Sequence, residues 1–180
     1  ILFSHAVVIG FTLIFIIRIF ANFSGAHFNP IVSILFFLQK ELSSKDLFLY
    51  ILIQIVAAIL GTFFANYIFG LNVIEISSNM RSGTNIYISE IFAAIGLLLV
   101  ILLSRTDGKN IVAFNVGIYI TAAIIFTSSA SFANPAVTIA RVFTESFAGI
   151  NPSTVIFFIS CQVIGMFAAY LLYNQFFKSK

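Results

Sequence analysis

Charge is scarce in this chain: 8% of its 180 residues are Asp, Glu, Lys or Arg, against about 25% in an ordinary soluble domain. Nine basic and six acidic residues leave a net charge of +3, with no basic patch carrying interleaved aromatics, which argues against a nucleic-acid partner. The single cysteine, Cys161, excludes an intramolecular disulfide and a Cys-based metal cluster; its place in an apolar run suits a small buried filler. No phosphate-binding Gly-rich loop is present, and the carboxylates are too few and scattered for a coupling-ion site. Two His and six carboxylates, mostly in connecting segments, do not assemble a nucleophile, base and orienting acid, so neither an enzyme nor a metal or other cofactor is expected. The front carries no charged n-region and no small-residue cleavage site. Ile1 enters hydrophobic sequence within a few positions, and the chain reads as incomplete there. Proline is rare too, with three residues, each directly after an asparagine.

What is abundant is hydrophobic: 61% of the residues, including 23 Phe. Apolar stretches near the ~20 residues needed to cross a bilayer lie at about 3–20, 47–69, 86–104, 111–128 and 154–176. Five full spans in a lipid bilayer are expected. The Phe excess reads as lipid-facing and interhelical packing, and Gly61, Gly96, Gly117 and Gly165 as places of close helix contact. Arg18 falls near the end of its span and is read as snorkelling to the interface.

Within this apolar background stand two matching segments, Ser24-Gly25-Ala26-His27-Phe28-Asn29-Pro30-Ile31-Val32-Ser33 and Ser129-Ala130-Ser131-Phe132-Ala133-Asn134-Pro135-Ala136-Val137-Thr138, 105 residues apart. Asn caps a helix and Pro fits its first turn, so a short helix is predicted after each Asn, over 29–39 and 134–143. Each rises roughly 15 Å, about half of the ~30 Å hydrocarbon core. Three crossings separate the two boxes, so the second enters from the opposite face and the halves form an inverted repeat. The first repeat is read over 1–70 and the second over 84–177, in one domain of 1–180. Gln54-Ile55-Val56-Ala57 matches Gln162-Val163-Ile164-Gly165, and Asn66 falls opposite Asn174. By this symmetry the span 86–104 has its counterpart before residue 1. Asn151-Pro152 reads as an ordinary helix start.

Arg18, Lys40, Lys45, Arg105, Lys109, Lys178 and Lys180 fall on one face and Arg81 and Arg141 on the other, which assigns the first face to the cytoplasm. Two half-helices entering from opposite sides point their N-termini at one another, each carrying about half a positive charge, and so repel a cation or hydronium at the midplane. The carbonyls of Gly25, Ala26, His27 and Phe28 and of Ala130, Ser131, Phe132 and Ala133 are expected to form a ladder of acceptors along a channel, with the amides of Asn29 and Asn134 as donors where the ladders meet.

The paired Asn-Pro boxes, the lead-in Ser24-Gly25-Ala26-His27-Phe28-Asn29 and the six-span repeat resemble the aquaporin/major intrinsic protein family over the whole chain. The resemblance implies an all-α membrane protein: an inverted-repeat helical bundle with two re-entrant half-helices, five spans here and six in the full family fold. It implies a homotetramer with one pore per subunit in a bacterial-type plasma membrane. Family members line an outer constriction with four positions, which by distance from the boxes fall on Ile9, Ala122, Ser131 and Val137. The family commonly has Arg where Val137 stands, and water-selective members an aromatic and a His where Ile9 and Ala122 stand. Aliphatic replacements widen this filter. A passive pore for glycerol, urea, small polyols or undissociated metalloid hydroxides follows, excluding protons and ions; the alternatives are a mainly water-selective pore, a secondary transporter with broken helices, and a non-conducting structural protein.

Four further residues carry paired readings. Arg141 lies one turn beyond Val137 and either pairs with Glu145, the favoured reading, or reaches back as a substitute cation. Ile31, in place of the usual Ala, packs behind Asn29 or narrows the midplane slightly. Glu90 resembles the family's brace for the second loop, with a proton-linked role as the alternative. His27 is read as holding the first loop rather than gating by protonation.

Overall fold

A computed structural model describes residues 2–178. The chain forms α1 (Leu2–Ser24), a short α2 (Pro30–Leu38), α3 (Ser44–Ile68), α4 (Thr84–Ser104), α5 (Lys109–Phe126), a short α6 (Pro135–Ala140) and α7 (Pro152–Phe176). Two 3-10 turns, Arg105–Asp107 and Arg141–Phe143, follow α4 and α6. The five long helices are each long and apolar enough to cross a bilayer, as the sequence predicts.

All three prolines open a helix behind an asparagine cap. Asn29 and Asn134 sit in extended backbone at φ −158° and −157°, and their side-chain oxygens accept from the amides of Ile31 at 3.1 Å and Ala136 at 3.0 Å. Asn151 caps α7 in the same way through Ser153. The first half-helix keeps close to its expected length, whereas the second has six α-helical residues and then tightens into the 3-10 turn at Arg141. α3 starts on Ser43, whose hydroxyl accepts from the Asp46 amide, with the Asp46 charge favourably placed against the helix dipole.

α1 lies against α5 and α4 against α7, while α3 holds α2 and α6. Small residues set these approaches. A Cβ on Gly117 would lie 2.6 Å from the Gly10 carbonyl, and one on Gly10 would lie 2.7 Å from the Gly117 carbonyl, so the two backbones touch where α1 crosses α5. On Gly165 a Cβ would meet the Ile91 carbonyl at 2.7 Å, and Gly96 lies under the Tyr119 ring. Gly61 departs from its expected role, since nothing among the described residues stands within 4 Å of its missing side chain. Gly117→Val should therefore cost about 2–3 kcal/mol through overpacking, read as a lower melting temperature in detergent; melting equal to the parent would mean that the α1–α5 crossing is not this close.

The outer surface is apolar, as lipid contact requires: Phe11, Phe15, Phe64 and Phe92 are exposed. Cys161 is buried in α7 and Arg18 is exposed on α1. The inverted repeat extends to the backbone. Gly25, Ala26 and Phe28 have φ of 71°, 51° and 46°, and their equivalents 105 residues on, Ala130, Ser131 and Ala133, have 59°, 46° and 43°. Five of these six are not glycine, and a left-handed conformation costs such residues about 1–2 kcal/mol each. The loops are thus held open by contacts from outside themselves.

Candidate functional site

The holding contacts begin at the two boxes. Asn29 Nδ2 donates to the Ala133 carbonyl at 2.8 Å, and Asn134 Nδ2 donates to the Phe28 carbonyl at 2.9 Å. Each asparagine therefore caps its own half-helix with its oxygen and ties the opposite loop with its nitrogen. One amide hydrogen on each remains for a passing molecule. The two helix N-termini meet, and the half-charges they carry add at this level.

A second pair of contacts repeats on both sides. Gln54 Nε2 donates to the Ser33 hydroxyl at 2.9 Å, and Gln162 Nε2 donates to the Thr138 hydroxyl at 2.8 Å. Ser33 and Thr138 each stand four residues past an asparagine, in the first turns of the half-helices. In the sequence the glutamines mark the repeat, and the matched hydroxyls at the fourth position are the signal for their bonds.

Glu90, fully buried in α4, accepts from the Ala133 amide at 2.6 Å and from Gln162 Nε2 at 2.7 Å through the same oxygen. The carboxylate thus reaches both the second loop and the helix behind it. His27 sits in the first loop with Nδ1 3.1 Å from the Ser33 hydroxyl, its ring between Phe36 and Tyr50 at 4.5 and 5.1 Å. Tyr50 also fixes the loop, its hydroxyl donating to the Ser24 carbonyl at 2.7 Å.

A cavity of about 480 Å³ runs past both boxes. Gly25, Ala26, His27, Phe28 and Asn29 line it from one side, and Ser131, Phe132, Asn134 and Val137 from the other. Ala130 and Ala133 are not on its wall, a departure from the expected ladder: Ala133 is fully buried, and its carbonyl is occupied by Asn29. Ile31 is likewise fully buried and off the wall, behind its asparagine as favoured.

Of the four filter positions, Ile9, Ser131 and Val137 reach the cavity. Ala122 does not. It is exposed on the outer face of α5, in a shallow groove with Gly96 and Tyr119, and α5 turns Val116, Ile120 and Ile124 to the cavity instead. The physical reason is rotation: each residue turns a helix by about 100°, so a two-residue offset in counting back from the box reverses the face.

The cavity ends differ. On the lysine-bearing side Arg105 pairs with Glu41 at 2.5 Å and stacks on Phe36, and Lys109 donates to Asn22 at 3.0 Å. On the other side Arg141 reaches the cavity wall, its guanidinium 4.1 Å from the centre of the Phe132 ring. The favoured pairing of Arg141 with Glu145 does not form. Glu145 accepts instead from the Ser78 amide at 2.6 Å and from the Ser78 hydroxyl, bonds that hold its carboxyl below the usual range.

Five apolar spans, two half-helices joined end to end by their capping asparagines, and a cavity threading past them define a membrane channel of inverted-repeat design. The major intrinsic protein family matches residues 2–131. Aquaglyceroporin AqpS of Rhizobium meliloti (strain 1021) is 39% identical over 169 residues, which cover 94% of this chain and 72% of that protein. The chain belongs to the major intrinsic protein family. It is an integral protein of the plasma-membrane type and a channel for water and small solutes, not an enzyme.

Proposed function

We propose that this channel passes small uncharged solutes, such as glycerol, urea, small polyols or undissociated metalloid hydroxides, together with some water, and excludes protons and ions. The observation that carries the reading is the wall of the cavity on the Arg141 side: Ile9, Ile120, Ile124 and Val137 are aliphatic, with Ser131 as the polar exception among the filter positions. Such a wall is wider and poorer in donors than one built from aromatic, His and Arg side chains. It favours a molecule with both an apolar edge and hydroxyls over water alone. The likeness to an aquaglyceroporin is consistent with that preference. Exclusion of cations is supported by the two half-helix N-termini meeting at Asn29 and Asn134.

Gly25–His27 and Ser131–Phe132 supply the free acceptors along the path, with the Phe28 carbonyl tied to Asn134; the asparagines supply donors, and Glu90 and His27 hold the loops. The family architecture supports a homotetramer in which each subunit carries its own pore, each repeat (1–70 and 84–177) contributing one half-helix. The test is stopped-flow light scattering of proteoliposomes containing the protein. Shrinkage against sucrose should be faster than in empty vesicles, and against glycerol it should be followed by rapid re-swelling. Fast water flux with no re-swelling would leave a water pore and overturn the broad filter.

A further inference from the structure

Two arginines flank the Phe132 ring near the end of the cavity opposite the lysine-bearing face, only Arg141 lining the cavity itself, and they are used differently. Arg81, in the connection between α3 and α4, donates through Nε to the Gly149 carbonyl at 2.8 Å and through an Nη to the Phe147 carbonyl at 2.7 Å. Its guanidinium is also 4.9 Å from the Phe132 ring centre. Arg81 thus fastens two external loops. Arg141 lies on the same ring, but among the described residues its guanidinium has no hydrogen-bond acceptor and no carboxylate. The nearby acid in sequence, Glu145, is occupied by Ser78. The guanidinium carbon lies over the Phe132 ring, a cation–π contact that uses none of the N–H donors. Those donors stand at the cavity wall one helical turn from Val137.

At the other end of the same cavity the cations are engaged: Arg105 by Glu41 and Lys109 by Asn22. Arg141 is therefore the cationic side chain on the described wall whose donors no protein group occupies. The positive field of Arg81, 4.9 Å from the same ring centre, adds to its own.

We infer that Arg141 is the specificity-determining residue at this mouth: its guanidinium sets the barrier to cations and offers a fork of N–H donors to the oxygens of a neutral solute. The cationic element stands a turn outward from Val137, which leaves the aliphatic ring of Ile9, Ile124 and Val137 wide. The inference rests on the proposed solute channel, and the readouts separate the two.

The experiment compares the parent protein with Arg141→Gln and Arg141→Lys in proteoliposomes, measuring glycerol re-swelling, water flux, and proton and sodium leak with an internal pH dye and an imposed gradient. Arg141→Gln keeps length and a planar polar end but removes charge. It should raise cation leak about tenfold while water flux changes less than about twofold, and it should lower the ratio of glycerol to 1-propanol permeation, since fewer donors reward hydroxyls. Arg141→Lys should keep leak near the parent value and lose the glycerol preference, because a point charge replaces the fork. Unchanged leak and unchanged solute ratio in Arg141→Gln would overturn the inference. A parent channel that carries water but no glycerol would sink the proposed function alone, since the cation-leak comparison still decides the role of Arg141. Melting temperatures of the three proteins in detergent identify a folding defect; if the Gln variant fails to fold, Arg141→Met supplies the charge-free comparison, and an unchanged leak and solute ratio there would overturn the inference equally.

Discussion

Val137→Arg is expected to cut glycerol permeation about tenfold or more while water flux falls by less than about threefold, a separation of at least ~0.7 kcal/mol in barrier height. Val137 lines the cavity in the first turn of α6, its amide within reach of the Asn134 capping oxygen at 3.4 Å. An arginine there projects from the level of the wall shared with Ile9 and Ser131. It replaces a short aliphatic side chain by a long planar cation, which narrows the opening and surrounds it with strongly hydrated donors. Water, with a share of liquid volume near ~30 Å³, passes a constriction that stops a three-carbon polyol.

The substitution also sets a second guanidinium one turn from Arg141, on the same face. Like charges at that spacing disfavour a helix by about 0.2–0.5 kcal/mol in water and by more where the dielectric is low. The new side chain is consequently driven towards the cavity centre rather than along the wall, which strengthens the block. Stopped-flow re-swelling in glycerol, with sucrose shrinkage as the water control, reads both quantities from one preparation. Glycerol permeation equal to the parent would mean that residue 137 stands outside the constriction.

The parts of this site that could be read without the fold are those governed by local chemistry. Asn29, Asn134 and Asn151 cap helices because Asn accepts from an amide two residues on and Pro follows without cost, and neither fact depends on what lies across the molecule. The five spans follow from length and apolarity alone. Ala122 lies on the outer face rather than at the filter because counting backward from a box carries a position but not a helix rotation, and the segment 127–134 intervenes. Arg141 and Glu145 suit one another on a helix, yet a 3-10 turn ends at Phe143 and Ser78, 67 residues away, binds the carboxylate. The left-handed residues Ala26, Phe28, Ser131 and Ala133 were invisible because nothing in an alanine or phenylalanine signals positive φ. They are set by contacts from outside: Asn134 on the Phe28 carbonyl, and Glu90 and Asn29 on the amide and carbonyl of Ala133.

Glu90→Leu is expected to have the largest structural effect of any single change, lowering stability by about 2–5 kcal/mol and abolishing flux. One carboxylate oxygen accepts from both Ala133 N–H and Gln162 Nε2, and the residue is fully buried, so no water replaces it when it is removed. The Ala133 amide would then be an orphan donor between two bulk-excluded helices, at a position where the backbone is already in the left-handed region with φ 43°. Nothing else among the described residues holds that amide. Gln162 keeps Thr138 as an acceptor, so its loss is partial. The Ala133 carbonyl, which receives Asn29, moves with its peptide, and the tie between the two half-helices weakens at the same time. Glu90→Gln retains an acceptor oxygen of the same reach for the Ala133 amide and Gln162 Nε2. It should melt within a few degrees of the parent and retain most of its glycerol flux. A proton-linked role for the carboxylate predicts the reverse for Gln, a folded protein with lost or pH-independent transport. Thermal melting in detergent and re-swelling at pH 5.5 and 7.5 separate the two accounts, and a Leu variant that melts with the parent would remove Glu90 from the scaffold of the second loop.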